Sequence, residues 1–442
     1  MKETASGVQN WLIRRVRLVD PTQDIDRTTD ALVQKGQIQS ITERSDADSN
    51  TITIDGEGLW LFPGLVEIHA HFREPGFTEK ETLESGAHAA ARGGYCCVVC
   101  EPNTVPALDS PGLIRELSVK AERDCPVRLY FKAAMTQGRQ GLSVTDIPAL
   151  ARESSVVALS DDGDPVTRPD VMNEVARRAA KTGLVLSPHP EDSERALRDY
   201  EDGVDPGFES VEPYANETNY VRRDQQIAAK WKCPIHFSHI SLARTIETIT
   251  EFRAASKSAR VSYELTPHHL VLAQEDYRNQ EVPKVNPPLR SSQDRSCLQK
   301  ALGESEVAAI ACDHAPHTEE DKKQGACGLI GVETTLGVIL TKFVHGGELS
   351  PMDAARLLSS GPARVFGLPG GTISPGQAAD LTLIDPEQEW TVNPEEFVSR
   401  SRNTPFEGWK LRGKAVGTFV GGQLVYASDE LRGRFSPVSG AE

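Results

Sequence analysis

The chain has 442 residues, 38% apolar and 25% charged, with 48 Lys and Arg against 64 Asp and Glu for a formal net charge of −16. These proportions exclude disorder, collagen and coiled coil, and the acidic balance argues against a nucleic-acid partner. No window holds the roughly 18 to 20 consecutive apolar residues that a membrane helix needs, and the polar start MKETASGVQN lacks the apolar core of a signal peptide, so a cytoplasmic location with reduced cysteines is expected.

Residues 11–61 open the chain with short β-rich runs (WLIRRVRLV, ALVQKGQIQSI, TITID) separated by polar turns. Eight apolar runs follow: 64–68, 96–100, 127–133, 156–160, 184–188, 234–238, 260–265 and 307–312. Between them lie amphipathic, Ala-rich stretches such as 82–94, 169–183 and 243–258, the first two ending in Gly as a helix C-cap does. This βα alternation predicts a parallel sheet. Eight units over about 250 residues, with no Gly-rich phosphate fingerprint after the first strand, predict a (β/α)8 TIM barrel rather than an open doubly wound sheet. Residues 378–427 return to β-rich runs (ADLTLID, GTFVGGQLVYA), and the two flanks are expected to pair into one small β-sandwich. The expected organisation is residues 1–61 and 371–442 in the sandwich and 62–370 in a catalytic, metal-dependent barrel.

The eight cysteines show no framework spacing, and the one C-x-x-C, Cys97 to Cys100, lies in the run YCCVVC. On a strand, positions i and i+3 face opposite ways, so these thiols cannot share a metal and are read as core residues.

A TIM barrel builds its active site at the C-terminal ends of its strands. Those ends carry His69-Ala70-His71-Phe72-Arg73, Glu101-Pro102-Asn103-Thr104, Asp161-Asp162-Gly163, His189, His239, Thr266-Pro267-His268-His269 and Asp313-His314-Ala315-Pro316-His317. H-x-H on a strand puts both imidazoles on one face, as two ligands of one ion require, although alone it is a weak signal. Convergence of His189, His239 and Asp313 on the same mouth turns it into a metal site. Six donors exceed one tetrahedral ion; two ions accommodate them, with His69, His71 and Asp313 on one, His189 and His239 on the other, and an Asp of the DDG turn between. Imidazole with carboxylate suits Zn2+, and such a pair activates water for amide hydrolysis. His88 and His345 are read as structural or solvated, and His236, His268 and His314 as groups that support the site. Arg73, two residues past His71, can clamp a substrate carboxylate through both guanidinium nitrogens; an ordinary ion pair is the plainer alternative.

The segments PGLVEIHAHFREPG (63–76), EPNT (101–104), SDDGDPV (160–166), HPED (189–192), HFSHIS (236–241), TPHHL (266–270), KVNPPLR (284–290), CDHAPH (312–317), GLIGVET (328–334) and SRNTPFEGWKLRGK (401–414) resemble, in order and across the whole chain, the cyclic amidohydrolase superfamily and specifically the type I dihydroorotases. The resemblance implies a dihydroorotase with two Zn2+ per subunit, reversibly hydrolysing (S)-dihydroorotate to N-carbamoyl-L-aspartate in pyrimidine synthesis through a zinc-bridged hydroxide. It further implies that His69 and His71 bind one zinc, Asp162 bridges, His189 and His239 bind the second, and Asp313 is both ligand and proton shuttle. His71, Arg73, Asn103, Asn286, His317 and the backbone near Cys327 and Gly328 are implied to meet the substrate. A homodimer and aspartate transcarbamoylase as a candidate partner follow from the same resemblance.

Hydantoinase, dihydropyrimidinase and allantoinase typically bridge their metals with a carboxylated lysine on the fourth strand, where this chain has DDG; Lys132, ending the third run, is read as a solvated strand-end residue. Glu67 stands where relatives usually have Asp before H-x-H, and its longer arm is expected to bear on how His69 or His71 is oriented. Cys327 stands where some have Pro. Residues 318–326 (TEEDKKQGA) read equally as a mobile lid or a surface loop. The rival functions are another cyclic amidohydrolase and a non-catalytic scaffold for aspartate transcarbamoylase, whose signature is missing metal ligands.

Overall fold

The structure, a computed structural model, describes residues 9–45, 48–191, 216–277, 281–303 and 307–437; Asp192 of HPED lies outside these residues. The five N-terminal strands are β1 (Asn10–Asp20), β2 (Ile25–Gln34), β3 (Gln37–Thr42), β4 (Thr51–Asp55) and β5 (Trp60–Pro63). The eight apolar runs form β6 (Leu65–Ala70), β7 (Tyr95–Cys100), β8 (Arg128–Ala134), β9 (Val156–Ser160), β10 (Val185–Leu186), β11 (Ile235–Phe237), β12 (Val261–Leu265) and β13 (Ala309–Ile310). They line up in chain order in one parallel sheet. Past β13, His314 bridges back to Ala70, with His71 N donating to His314 O at 2.8 Å and His314 N to His69 O at 3.3 Å. The first and last strands therefore meet, as the barrel reading predicts.

Helices cover the sheet between strands, among them Leu83–Gly93, Pro169–Ala179 and Ala243–Ala255. Thr82 and Ser85 cap the first reciprocally, and Gly94 ends it at φ 97°. A side chain at Gly94 would also meet Thr382 Cγ2 at 2.8 Å, so this position needs glycine for both conformation and space. The second helix stops at Ala179, short of the expected Gly183, and a turn carries the chain on to that residue.

The C-terminal strands β14 (Leu381–Thr391), β15 (Lys410–Val420), β16 (Gln423–Ala427) and β17 (Phe435–Pro437) join β1 to β5 in one nine-stranded mixed sheet. The ends of the chain are stitched twice: β14 runs antiparallel to β5, and β17 antiparallel to β4. A register break between Ile13 and Val16, with Arg15 at φ 55°, lets β1 pair first with β4 and then with β5. The sheet thereby closes on its own core, where Trp11 meets Phe419 edge-on at 5.4 Å among Ile13, Leu18, Leu61 and Leu383. Cys97 and Cys100 are both buried and enter different apolar clusters, as their spacing on one strand requires.

Candidate metal centre

The six predicted ligands arrive from the ends of β6, β9, β10, β11 and β13, and all are at least 95% buried. Asp162 lies between the others. Its Oδ1 is 3.2 Å from His69 Nε2 and 3.8 Å from His239 Nε2, and its Oδ2 is 3.5 Å from His71 Nε2. Asp313 Oδ1 closes the other side, 3.1 Å from His71 Nε2 and 3.7 Å from His69 Nε2. His189 stands against His239, ring centres 4.6 Å apart. Donor atoms fall into three overlapping groups: His69, His71 and Asp162; His69, His239 and Asp313; and Asp162, His189 and His239. His239 and Asp313 turn the chain at φ 33° and 47°, and Arg73 at 58°, left-handed backbone that costs a non-glycine residue on the order of 1–2 kcal/mol. Strain of this kind gathers where a side chain must be aimed.

These residues fit a metal. His69 Nε2 and Asp162 Oδ1 are buried with no hydrogen-bond partner among the described residues, an arrangement a cation would satisfy. Burial opposes a charged His69, yet the carboxylates of Glu101, Asp162 and Asp313 raise its pKa well above the usual value. Burial likewise opposes the charges of Asp162 and Asp313, and the surrounding histidines hold both far below the ordinary carboxylate range. His189 goes the other way, lowered to about 4 by burial and by His239, and so keeps the neutral imidazole that ligation requires. Mutually close carboxylates and imidazoles in a dry pocket make a strongly cation-attracting field.

Asp161, the other Asp of the DDG turn, is committed elsewhere: its carboxylate accepts from Met135 N at 2.8 Å, Thr136 N at 3.1 Å and the Thr136 hydroxyl. Glu67 does not touch the histidine rings. It accepts from His69 N at 2.7 Å and Cys312 N at 2.9 Å, so its longer arm fastens the backbones of the first and last strands across the seam. It therefore bears on His69 through the backbone amide rather than through the ring.

That task falls to Glu264 on β12, which the sequence reading did not single out. Its Oε1 pairs with His69 Nδ1 at 2.8 Å and with His239 N at 3.4 Å, while Oε2 pairs with His236 Nε2 at 2.9 Å. Holding Nδ1–H of His69 leaves Nε2 as the donor toward a metal. The signal was an acid inside the apolar run RVSYEL, which the structure buries fully. Glu264→Gln is expected to lower metal affinity about 10–100-fold with the fold intact, read by chelator competition; unchanged affinity would mean that the ring is aimed from elsewhere.

Lys132 is also corrected. It is fully buried, ion-paired with Glu101 and donating to Ser187 Oγ at 3.0 Å. Its run VRLYFKA places it on an inward-facing strand position rather than at a solvated end. His236 binds Glu264 and Ser262 Oγ, and His314 Nδ1 accepts from Gly331 N at 3.2 Å, both as supporting groups. His88 is exposed, and His345 contacts the Pro386 carbonyl away from the mouth.

Around the ligands, Asn103 Oδ1 meets His71 Nδ1 at 2.8 Å, and its amide reaches Asp162 Oδ2 at 3.4 Å. Arg73 forms no ion pair among the described residues. Its Nε donates to Pro316 O at 3.1 Å and its Nη2 lies 3.3 Å from His317 Nε2, leaving guanidinium edge for an anion. Burial lowers its pKa to about 10, so it stays charged at neutral pH. His317 Nε2 donates to Cys327 O at 2.8 Å, and at Gly328 (φ 141°) a side chain would strike Ala315 and His317. Arg73, His317, Cys327 and Gly328 thus form one wall. Gly328 N in turn donates to Lys284 O, tying in the segment that carries Asn286.

Residues 318–326, read equally as a lid or a surface loop, carry a short helix. Thr318 and Asp321 cap a short helix, Glu319–Lys323, and Lys322 Nζ donates to Ala326 O and Gly328 O at 2.7 and 2.9 Å. A charged run flanked by Thr and Gly hides a capping box, which is why it read as loop.

The amidohydrolase family profile matches residues 60–425. A dihydroorotase of Syntrophotalea carbinolica is 37% identical over 94% of this chain and 98% of its own, and one of Geobacter metallireducens is 36% identical over 94% and 99%. Among solved structures, the L-hydantoinase (dihydropyrimidinase) of Arthrobacter aurescens superposes with a TM-score of 0.84 at 23% identity, covering 94% of this chain and 96% of that one; this likeness speaks to the fold alone. No helix among the described residues is long and apolar enough to cross a membrane. With a family match across most of its length and dihydroorotase relatives covered almost end to end, the chain belongs to the amidohydrolase family, in its dihydroorotase branch.

Proposed function

We propose that the chain reversibly hydrolyses the ring amide of (S)-dihydroorotate to N-carbamoyl-L-aspartate, the third step of pyrimidine synthesis, with two Zn2+ per subunit. The observation that carries this reading is the convergence of His69, His71, Asp162, His189, His239 and Asp313 at one barrel mouth, beside an arginine with no acidic partner among the described residues.

His69, His71 and Asp313 would hold one ion, His189 and His239 the second, with Asp162 between them. When bound, the pair supplies Lewis acidity toward the ring carbonyl and lowers the pKa of an attacking water. The chain's own residues do the rest. Arg73 holds the substrate carboxylate, with His317 and the Cys327–Gly328 backbone shaping the same wall, and Asn103 and Asn286 orient the ring. Asp313, an ionised carboxylate at the mouth, takes the proton of the attacking water and delivers it to the ring nitrogen as the carbon–nitrogen bond breaks, so the proton count balances. The near-complete burial of the ligands excludes bulk water and strengthens each of these interactions.

Arg73→Lys is expected to raise KM for dihydroorotate at least about tenfold with a smaller change in kcat, since lysine cannot pair with both carboxylate oxygens. An unchanged KM would remove Arg73 from the substrate site. Substrate identity is tested by offering dihydroorotate beside hydantoin, dihydrouracil and allantoin. Preference for dihydroorotate supports the reading, and preference for a ring without a carboxylate overturns it. A scaffold without activity would be expected to lack ligands, and this chain has all six.

A further inference from the structure

Two buried opposite charges lie beside the metal ligands and have no part in the chemistry above. Glu101 directly follows β7 and is 2% exposed; Lys132 lies in β8 and is 0% exposed. The Lys132 ammonium is ion-paired with Glu101 Oε1 and donates to Ser187 Oγ, and its other face lies over the Phe366 ring, 5.4 Å from its centre. The same Glu101 oxygen stands 3.6 Å from His69 Nε2, the ring atom left for a metal once Glu264 takes Nδ1. Glu101 Oε2 is buried with no hydrogen-bond partner among the described residues.

A buried ion pair generally gives no more stability than well-packed apolar side chains of the same size, so this pair calls for another reason. The neighbouring cation site offers one. An ammonium alone in this position would repel a divalent ion, whereas a carboxylate alone would attract it and compete with Asp162 and Asp313 for ligation. Together they set an intermediate field, with the carboxylate edge next to His69.

We propose that Glu101 and Lys132 form a charge pair that sets cation affinity at the His69 position: Glu101 attracts the ion, and Lys132 weakens that attraction and restrains the carboxylate from ligating. This rests on the metal-centre reading above. Both are positioning residues, acting through His69 and the ion rather than on substrate.

The test is the zinc dissociation constant of the full-length holoenzyme, by competition with a chromophoric chelator, for wild type, Glu101→Gln, Lys132→Met and the double variant. Glu101→Gln leaves an uncompensated ammonium and is expected to weaken binding about 100-fold or more; Lys132→Met is expected to tighten it about tenfold, and the double variant to return near wild type. A purely structural role for the pair would move both single variants in the same direction, so weakening in both, or shifts below about twofold in both, overturns the proposal. If Glu101→Gln does not fold, the remaining two variants decide: tighter binding in Lys132→Met, reversed in the double variant, supports it, and unchanged binding overturns it. Failure of the wild type to bind zinc would defeat the metal-centre reading itself, a result distinguishable from equal binding by every variant.

Discussion

Asp313→Asn is expected to lower ring opening at least about 1,000-fold while the protein stays folded, because general acid–base transfer alone is worth roughly 100- to 10,000-fold. Asparagine keeps the shape and can still approach His71, but it cannot take a proton from water. It also tolerates the left-handed backbone at this position, φ 47°, better than alanine does, so the neighbouring His314 bonds that close the barrel should survive. Metal content measured on the same sample separates two causes. Lost activity with metal retained assigns Asp313 to proton transfer, and lost activity with metal lost assigns it mainly to ligation. Activity within tenfold of wild type at full metal occupancy would contradict both roles.

Asp162→Ala should empty the centre. Asp162 is the carboxylate within 3.8 Å of His69, His71 and His239 together, and its removal leaves those imidazoles without the anion that joins the two ligand groups. Most of the metal and at least about 1,000-fold of the activity are expected to go, since ligand loss removes the Lewis acid as well as its geometry. The neighbouring Asp161→Ala is the control. Its carboxylate binds Met135 and Thr136 backbone, so it should lower thermal stability while the remaining folded protein keeps its metal. Metal analysis after dialysis distinguishes the pair, and a metal-replete Asp162→Ala would show that the DDG turn contributes no bridge.

The barrel was legible because each of its eight strands is a short apolar run buried on both faces, with amphipathic helices between, and because polar groups cluster after those runs. The candidate ligands were legible for the same reason: His69, His189, His239 and Asp313 each follow a run directly, and His71 completes the H-x-H two positions on. Choosing Asp162 over Asp161 required the family resemblance, since two adjacent acids differ in sequence only by one step; the structure separates them by the Thr136 and Met135 bonds that occupy Asp161. What stayed hidden were charges inside the runs. Glu264 and Lys132 look like interruptions of a strand pattern and Glu101 like one more polar strand end, and only packing shows that they face one another and the histidines across the barrel interior. Glu67 was noticed, but its partners are backbone amides of His69 and of Cys312, 245 positions away, which no local pattern reveals.

The most direct measurement is ring opening of dihydroorotate by purified protein, with zinc counted on the same sample and a chelator-treated control alongside. Turnover is expected to fall with chelation, return with added zinc and reach its maximum near two ions per chain. Turnover that survives complete metal removal, or no turnover at two bound ions, would contradict it.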